Sequence, residues 1–266
     1  MKHIKLYRTK EQAIGQVIET PAIIMTDRQT AFAPQSLGEK IELSQDENGE
    51  LIVSIYEEEL PEGVVDLGLP SGLKWASCNI GANSPCESGL LFQFGRVDGY
   101  AYGSPLGTSF EAKDGLIKTT SIPPTQSGTV YKVGEVLKPA DDAASVATNG
   151  KMRMPTAAEI DELLANTTNQ WCQCTVLGAD HTSHNVYGRL FISKADESKK
   201  IFIPAAGYFN GRDDSFYYAG SSCYVWSSSV RSDNVNDAYF LGFDSGNYHG
   251  SYSSRRCSFS VRGVCK

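Results

Sequence analysis

Cys172 and Cys174 stand two residues apart, with His181 and His184 shortly downstream. Side chains at i and i+2 share one face of a strand, so the four could meet across a hairpin as a tetrahedral zinc site. The pair is closer than the usual spacing of about two to four intervening residues, and two thiols half-buried in a strand are the ordinary alternative. No metal is therefore assigned. Cys257 and Cys265 form a second pair, but they do not make a compact redox motif and no Lys or His beside them would lower a thiol pKa. Histidines occur only at positions 3, 181, 184 and 249, which leaves few bases for a Ser-His-Asp arrangement, and Ser227-Ser-Ser229 is not a nucleophile elbow. A phosphate-binding glycine loop, a Rossmann fingerprint and an H-E-x-x-H helix are all missing. These residues point away from an enzyme, and no cofactor is expected.

A different chemistry is concentrated at the end of the chain. Twenty of the thirty residues from Ser227 to Arg256 are Ser, Asn, Asp, Tyr or Gly, and Lys, Glu, Gln and Met are absent from Ile201 through Cys265. Tyr supplies large, rigid, amphipathic contacts at low entropy cost, while Ser, Gly and Asn supply adaptable hydrogen bonds. This is the alphabet of a recognition surface. A Ser- and Gly-rich surface hairpin with no such role is the plain alternative, because loops are polar in any protein.

The chain has 266 residues, 41% hydrophobic and 10% aromatic, enough for one large or two smaller folded units. A net charge of -7 argues against a nucleic-acid groove, which needs clustered Lys and Arg. Protein, glycan or surface polymer remains as partner. No apolar run reaches membrane-spanning length, so membrane insertion is not expected, and the charged residues 1–10 do not read as a secretory signal. Seven cysteines without an export signal suggest reduced thiols first and a disulfide framework second. Synthesis in the cytoplasm is expected, followed by display on a virion or cell surface by a route without a signal peptide.

Residues 1–62 differ in texture from the rest, with β-rich runs at Ile4–Tyr7, Ala22–Met25 and Leu51–Tyr56 separated by Pro21, Pro34 and Gly49. The acidic run Glu57–Glu62, broken by Pro61, reads as a solvated boundary. Residues 63–266 then read as a second domain. Its convincing helix spans Thr156–Asn166, where Thr156 and Glu159 make a capping box and Ile160, Leu163 and Leu164 form one apolar stripe. Strands are expected around Cys174–Val176, Val186–Ile192, Ile201–Ile203, Tyr224–Ser227, Ala238–Phe243 and Phe259–Val264. One or two helices followed by a meander of short antiparallel strands implies an α+β domain. The stretch 99–150 is too long for a structureless loop in a compact domain and reads as an ordered insertion or extra hairpins.

Four separated segments carry a family resemblance: Val64–Ala76, Met152–Thr156 with its helix, Ile203–Gly207, and Trp226–Ser229 together with Phe259–Arg262. In order and spacing they resemble the C-type-lectin-fold domains frequent in gut bacteria and their phages, over roughly Val64 to Lys266. The broader superfamily contains formylglycine-generating enzymes and the variable proteins of diversity-generating retroelements. The resemblance implies an α+β, C-type-lectin-like domain with its late strands and loops on one exposed face and its two ends paired. Trp75, Pro155 and Trp226 are then packing or turn positions.

For retroelement variable proteins the resemblance also implies randomisation at adenines, chiefly in Asn codons ending in a pyrimidine. Such codons cannot yield Lys, Glu, Gln, Met or Trp, and the first four are the types missing after Ile201. Strand alternation then turns Phe240 and Gly242 inward. The outward set is Tyr239, Asp244, Asn247, Tyr248, His249, Ser251, Tyr252, Ser253 and Arg255, with Asp233, Asn234, Asn236 and Asp237 on a second loop and Tyr217 and Tyr218 as an extension. Calcium-dependent sugar binding, familiar in animal lectins of this fold, is not expected, since Asn236-Asp237 matches only half of its motif. The expected function is receptor binding on a bacterial cell surface by a phage tail protein with a diversified face, its receptor a protein or glycan and its assembly a possible homotrimer. A cell-surface adhesion module without diversity and a formylglycine-generating-like oxidase are the alternatives.

Overall fold

A computed structural model describes residues 2–4, 23–26, 29–32, 39–45, 51–57, 63–101, 122–177, 183–213 and 215–266. The chain divides into two compact units, Met1–Leu60 and Pro61–Lys266. In the first unit, β1 (Lys2–Ile4), β4 (Glu39–Gln45) and β5 (Leu51–Glu57) form an antiparallel sheet with β5 in the middle, and β2 (Ile23–Thr26) pairs with β3 (Gln29–Phe32). The central place of β5 suits its run Leu51-Ile-Val-Ser-Ile-Tyr56, since β-branched and aromatic side chains favour a paired, pleated backbone. Residues 5–7 of the expected first strand lie outside the described residues.

The second unit opens with β6 (Val64–Val65), β7 (Lys74–Asn79), β8 (Leu90–Gln93) and β9 (Tyr100–Ala101). Beyond residues 102–121, which lie outside the description and carry part of the expected insertion, come a 3₁₀ turn at Pro139–Asp141 and α1 (Ala143–Ala147). The helix α2 (Ala157–Asn166) follows. Its expected capping box is formed: the Thr156 hydroxyl accepts from the Glu159 N–H at 3.3 Å, and the Glu159 carboxylate accepts from the Thr156 N–H at 2.8 Å. Ile160 and Leu163 are the buried stripe, spaced to lie on one helix face.

The remaining strands are β10 (Thr167–Leu177), β11 (Ser183–Ser193), β12 (Lys200–Pro204), β13 (Tyr208–Asn210), β14 (Ser215–Tyr217), β15 (Ser222–Val230), β16 (Asp237–Asp244), β17 (Tyr248–Ser254), β18 (Ser258–Ser260) and β19 (Arg262–Cys265). One sheet runs β14-β13-β18-β15-β16-β17, with β8 and β9 branching from β18. A second is β10-β11-β12, and a third, β19-β7-β6, holds the first and last strands of the unit together.

These proportions correct the expected fold class. The structure is 44% strand and 10% helical, a β-rich architecture rather than an α+β, C-type-lectin-like one. The physical reason is that α2 supplies only one two-residue buried stripe, so most of the core is made by side chains of facing strands. Val225, Leu241 and Phe243 join Ile160 and Leu163 in one cluster, whereas Trp226, Phe240 and Phe259 join Phe92 and Phe94 in another. The strands β15 and β16 separate the two clusters and are covered on both sides.

Trp75 and Trp226 are fully buried and Pro155 is buried. Trp226 stacks on Phe259 at 4.0 Å between ring centres and donates from its ring N–H to the Phe92 carbonyl at 2.9 Å, which satisfies the one polar atom that its burial would otherwise strand.

Candidate ligand-binding face

The antiparallel register of β16 and β17 decides which tail side chains share a side. Tyr239 is opposite Tyr252, Leu241 opposite Gly250 and Phe243 opposite Tyr248. Phe240, opposite Ser251, and Gly242, opposite His249, lie on the other side, as does Ala238 opposite Ser253. The expected outward residues therefore divide between two sides of one hairpin instead of forming a single face. Phe240 and Gly242 do point inward, but Leu241 and Phe243 are equally buried on the reverse side.

On the side shared with α2, Tyr248 and Tyr252 are 46% and 48% exposed. Each ring is held by a guanidinium. Arg189 lies 5.1 Å from the centre of the Tyr248 ring, and Arg231 lies 3.3 Å from that of Tyr252. Such a contact contributes about 0.5–1 kcal/mol at an exposed site and restricts the ring beforehand. Tyr239 meets Tyr252 edge-on at 6.5 Å, and its hydroxyl is 3.2 Å from that of Ser232.

The positioning groups are themselves anchored. Arg189 donates to the Asn169 side chain and, at 2.6 Å, to the Asp244 carbonyl. Asp244 closes the β16–β17 turn, its carboxylate accepting from the Gly246 and Asn247 N–H groups at 2.7 Å each. The N–H groups of Asn247 and Gly246 hold that carboxyl below its usual range. Asp244 and Asn247 thus act as turn residues.

The second expected loop is closed on itself around Arg231. This guanidinium pairs with Asp233 at 2.5 Å and Asp237 at 3.2 Å, Asn234 donates to Asp237 at 2.8 Å, and the Asn236 N–H donates to Asn234 at 3.1 Å. Its carboxylates are engaged with a cation and an amide of the protein itself.

Arg255 is a correction. Expected outward, it is only 5% exposed; its guanidinium donates to the Val235 carbonyl at 3.1 Å and lies 5.1 Å from the centre of the Phe94 ring. Its methylenes and planar head fill a seam that a polar strand end does not reveal in sequence. Of the remaining residues, His249 is exposed, Ser251 is half-buried, and the Ser253 hydroxyl lies 3.8 Å from the Cys257 sulfur. Tyr217 and Tyr218 belong to the opposite end of the strand order. They stack around Tyr208, at 5.5 and 6.1 Å, and Tyr218 adopts a left-handed backbone with φ 61°.

The cysteines also require correction. Cys174 forms a disulfide with Cys86, 88 residues earlier, so reduced thiols throughout do not hold and Cys172 and Cys174 are not a thiolate pair. His184 stands in β11 opposite Val176, and His181 lies outside the described residues. Burial raises the pKa of Cys257, the reverse of what a reactive thiol needs.

Asp161 and Gly250 escaped sequence reasoning. With Ala157, Ile160, Tyr239 and Phe240 they line a cleft of about 320 Å³ between α2 and the hairpin. The exposed side of an amphipathic helix was the only signal, and it does not say what the helix packs beside.

A family model described as a domain of unknown function (DUF8237) matches residues 173–264, the stretch from β10 to β19. No curated protein and no solved structure matches the chain.

Proposed function

We propose that this is a non-enzymatic ligand-binding protein whose C-terminal hairpin presents a recognition face to a protein or glycan receptor on a bacterial cell surface. The observation that carries the reading is the pair Tyr248 and Tyr252, both about half exposed and each laid against an anchored guanidinium, on a strand whose neighbour is covered on both sides. Rigid aromatic anchors on a fixed base lose little entropy on binding. The exposed Ser245 and Asn247 side chains of the adjoining turn add adaptable hydrogen bonds.

The same division supports diversification of the face by a retroelement. Trp226, Phe240, Leu241 and Phe243 form the base, whereas the Asn-, Ser- and Tyr-rich positions lie in the turn and edge strand, where replacement leaves the core intact. A phage tail is the proposed carrier, with the first unit as attachment or oligomerisation module; a trimer would multiply weak contacts into avidity.

Two experiments test this. Binding of the labelled protein to a panel of gut bacteria, with and without Tyr248→Ala and Tyr252→Ala, tests recognition. The nucleotide sequence tests diversification: a near-identical template repeat differing at adenines, beside a reverse-transcriptase gene, is expected, and a gene lacking both is a fixed adhesion module.

A further inference from the structure

We infer that the cleft between α2 and the β16–β17 hairpin receives one cationic side chain, a lysine or arginine, from a protein partner. The inference rests on the ligand-binding reading and narrows its receptor to a protein. At about 320 Å³ the cleft lies at the small end of ligand sites, suited to one side chain rather than an oligosaccharide.

Its entrance is kept open by a glycine with no conformational need to be one. Gly250 lies within β17 without a left-handed backbone, and a Cβ there would meet only the Asp161 carboxylate, at 3.3 Å. Glycine inside a strand costs stability and marks places where another group approaches closely.

The lining matches the parts of a long cation. Ala157 and the edge of Ile160 offer apolar surface to a methylene stem, the Phe240 ring being turned to the other side of the sheet, and the Tyr239 ring suits a cation beside it. Asp161 is the charged residue of the lining and has no hydrogen bond or ion pair among the described residues. The nearby cation Arg231 is committed to Asp233 and Asp237. A neutral sugar would find few donors here, because the Tyr239 hydroxyl already meets Ser232. A net charge of -7 favours approach of a basic partner.

The test is an amide NMR titration of the full chain with N-acetyl-lysine methylamide, its neutral norleucine counterpart and a methyl glycoside, run beside cell binding. The lysine probe is expected to shift the Asp161 and Gly250 amides and to bind at least about tenfold more weakly to Asp161→Asn and to Gly250→Val, a difference of about 1.4 kcal/mol. Gly250→Ala replaces the valine variant if that one misfolds. Cell binding by Asp161→Asn is expected to fall by a similar factor. Equal shifts from norleucine, or glycoside binding that survives Asp161→Asn, overturns the inference. If the tyrosine variants lose cell binding while Asp161→Asn retains it and the lysine probe gives no shifts, the cleft inference fails and the ligand-binding reading stands. If the tyrosine variants bind cells normally, the reading fails, and the lysine titration still decides the chemistry of the cleft.

Discussion

Arg262 donates from its Nε to the Oδ1 of Asn79 at 2.9 Å, joining the last strand of the second unit to an early one inside the core. Its two terminal nitrogens donate to the carbonyls of Ala76 at 2.9 Å and Phe202 at 3.0 Å. The guanidinium is fully buried with no carboxylate partner among the described residues, and burial pulls its pKa down to about 10. It replaces water for three acceptors on two strands, β7 and β12, and in doing so fixes the β19-β7 pairing that closes the unit.

Arg262→Ala should therefore destabilise the second unit by about 3–5 kcal/mol, because three acceptors lose their donors and a large side-chain volume is vacated. Arg262→Lys should recover part of this, and Asn79→Ala should cost about 2 kcal/mol. Denaturant unfolding of the variants measures all three; a loss below about 1 kcal/mol for Arg262→Ala would show that the guanidinium is not a structural tie.

The Arg153–Glu159 pair at the start of α2 predicts an acid-sensitive step. Burial pushes the Glu159 carboxyl upward, but hydrogen bonds from Arg153 and Thr156 outweigh it and hold the group below its usual range. A folded carboxyl that titrates below its unfolded counterpart contributes fully above the ordinary carboxylate range, and that contribution fades as pH falls through the folded value. The Tm should fall between about pH 5 and pH 3, and less steeply in Glu159→Gln, which keeps a capping acceptor but not the charge. Parallel Tm profiles for the two proteins would remove Glu159 from the acid response.

The Cys86–Cys174 disulfide closes a loop of 88 residues. Cys174→Ser should cost about 2–4 kcal/mol, chiefly by freeing the unfolded chain. Peptide mapping without reductant should recover the two cysteines linked, and the Tm should drop on reduction. An unlinked map would return both to the pool of thiols.

What the sequence revealed depended on how local the signal was. The α2 cap is written within four residues; β17, Tyr248–Ser254, has no β-branched residue to mark it, but β15 and β16 announce themselves by aromatic and β-branched runs, so the cap and those two strands could be placed in advance. The two-sided burial of β16 could not, because simple alternation assumes one wet side, whereas Leu241 and Phe240 each face a core. Arg255 looked outward because it ends a polar strand, yet Val235 and Phe94, distant in sequence, draw it inward. Cys86 and Asp161 belong to the same class: one is paired across 88 residues, and the other gains its surroundings only when α2 settles beside β17. The α+β expectation weighted one legible helix above many strands of three to five residues, whose individual signals are weak.

The recognition face itself is tested most directly by the affinity of Tyr248→Ala/Tyr252→Ala for a bacterial strain bound by the unaltered protein, with Tm measured in parallel. Both rings are exposed, so stability should change by no more than about 2 kcal/mol, the worth of two ring–guanidinium contacts, while the loss of two anchors should weaken binding by at least about 2 kcal/mol, near thirtyfold. Unchanged binding by a folded double variant would contradict the account.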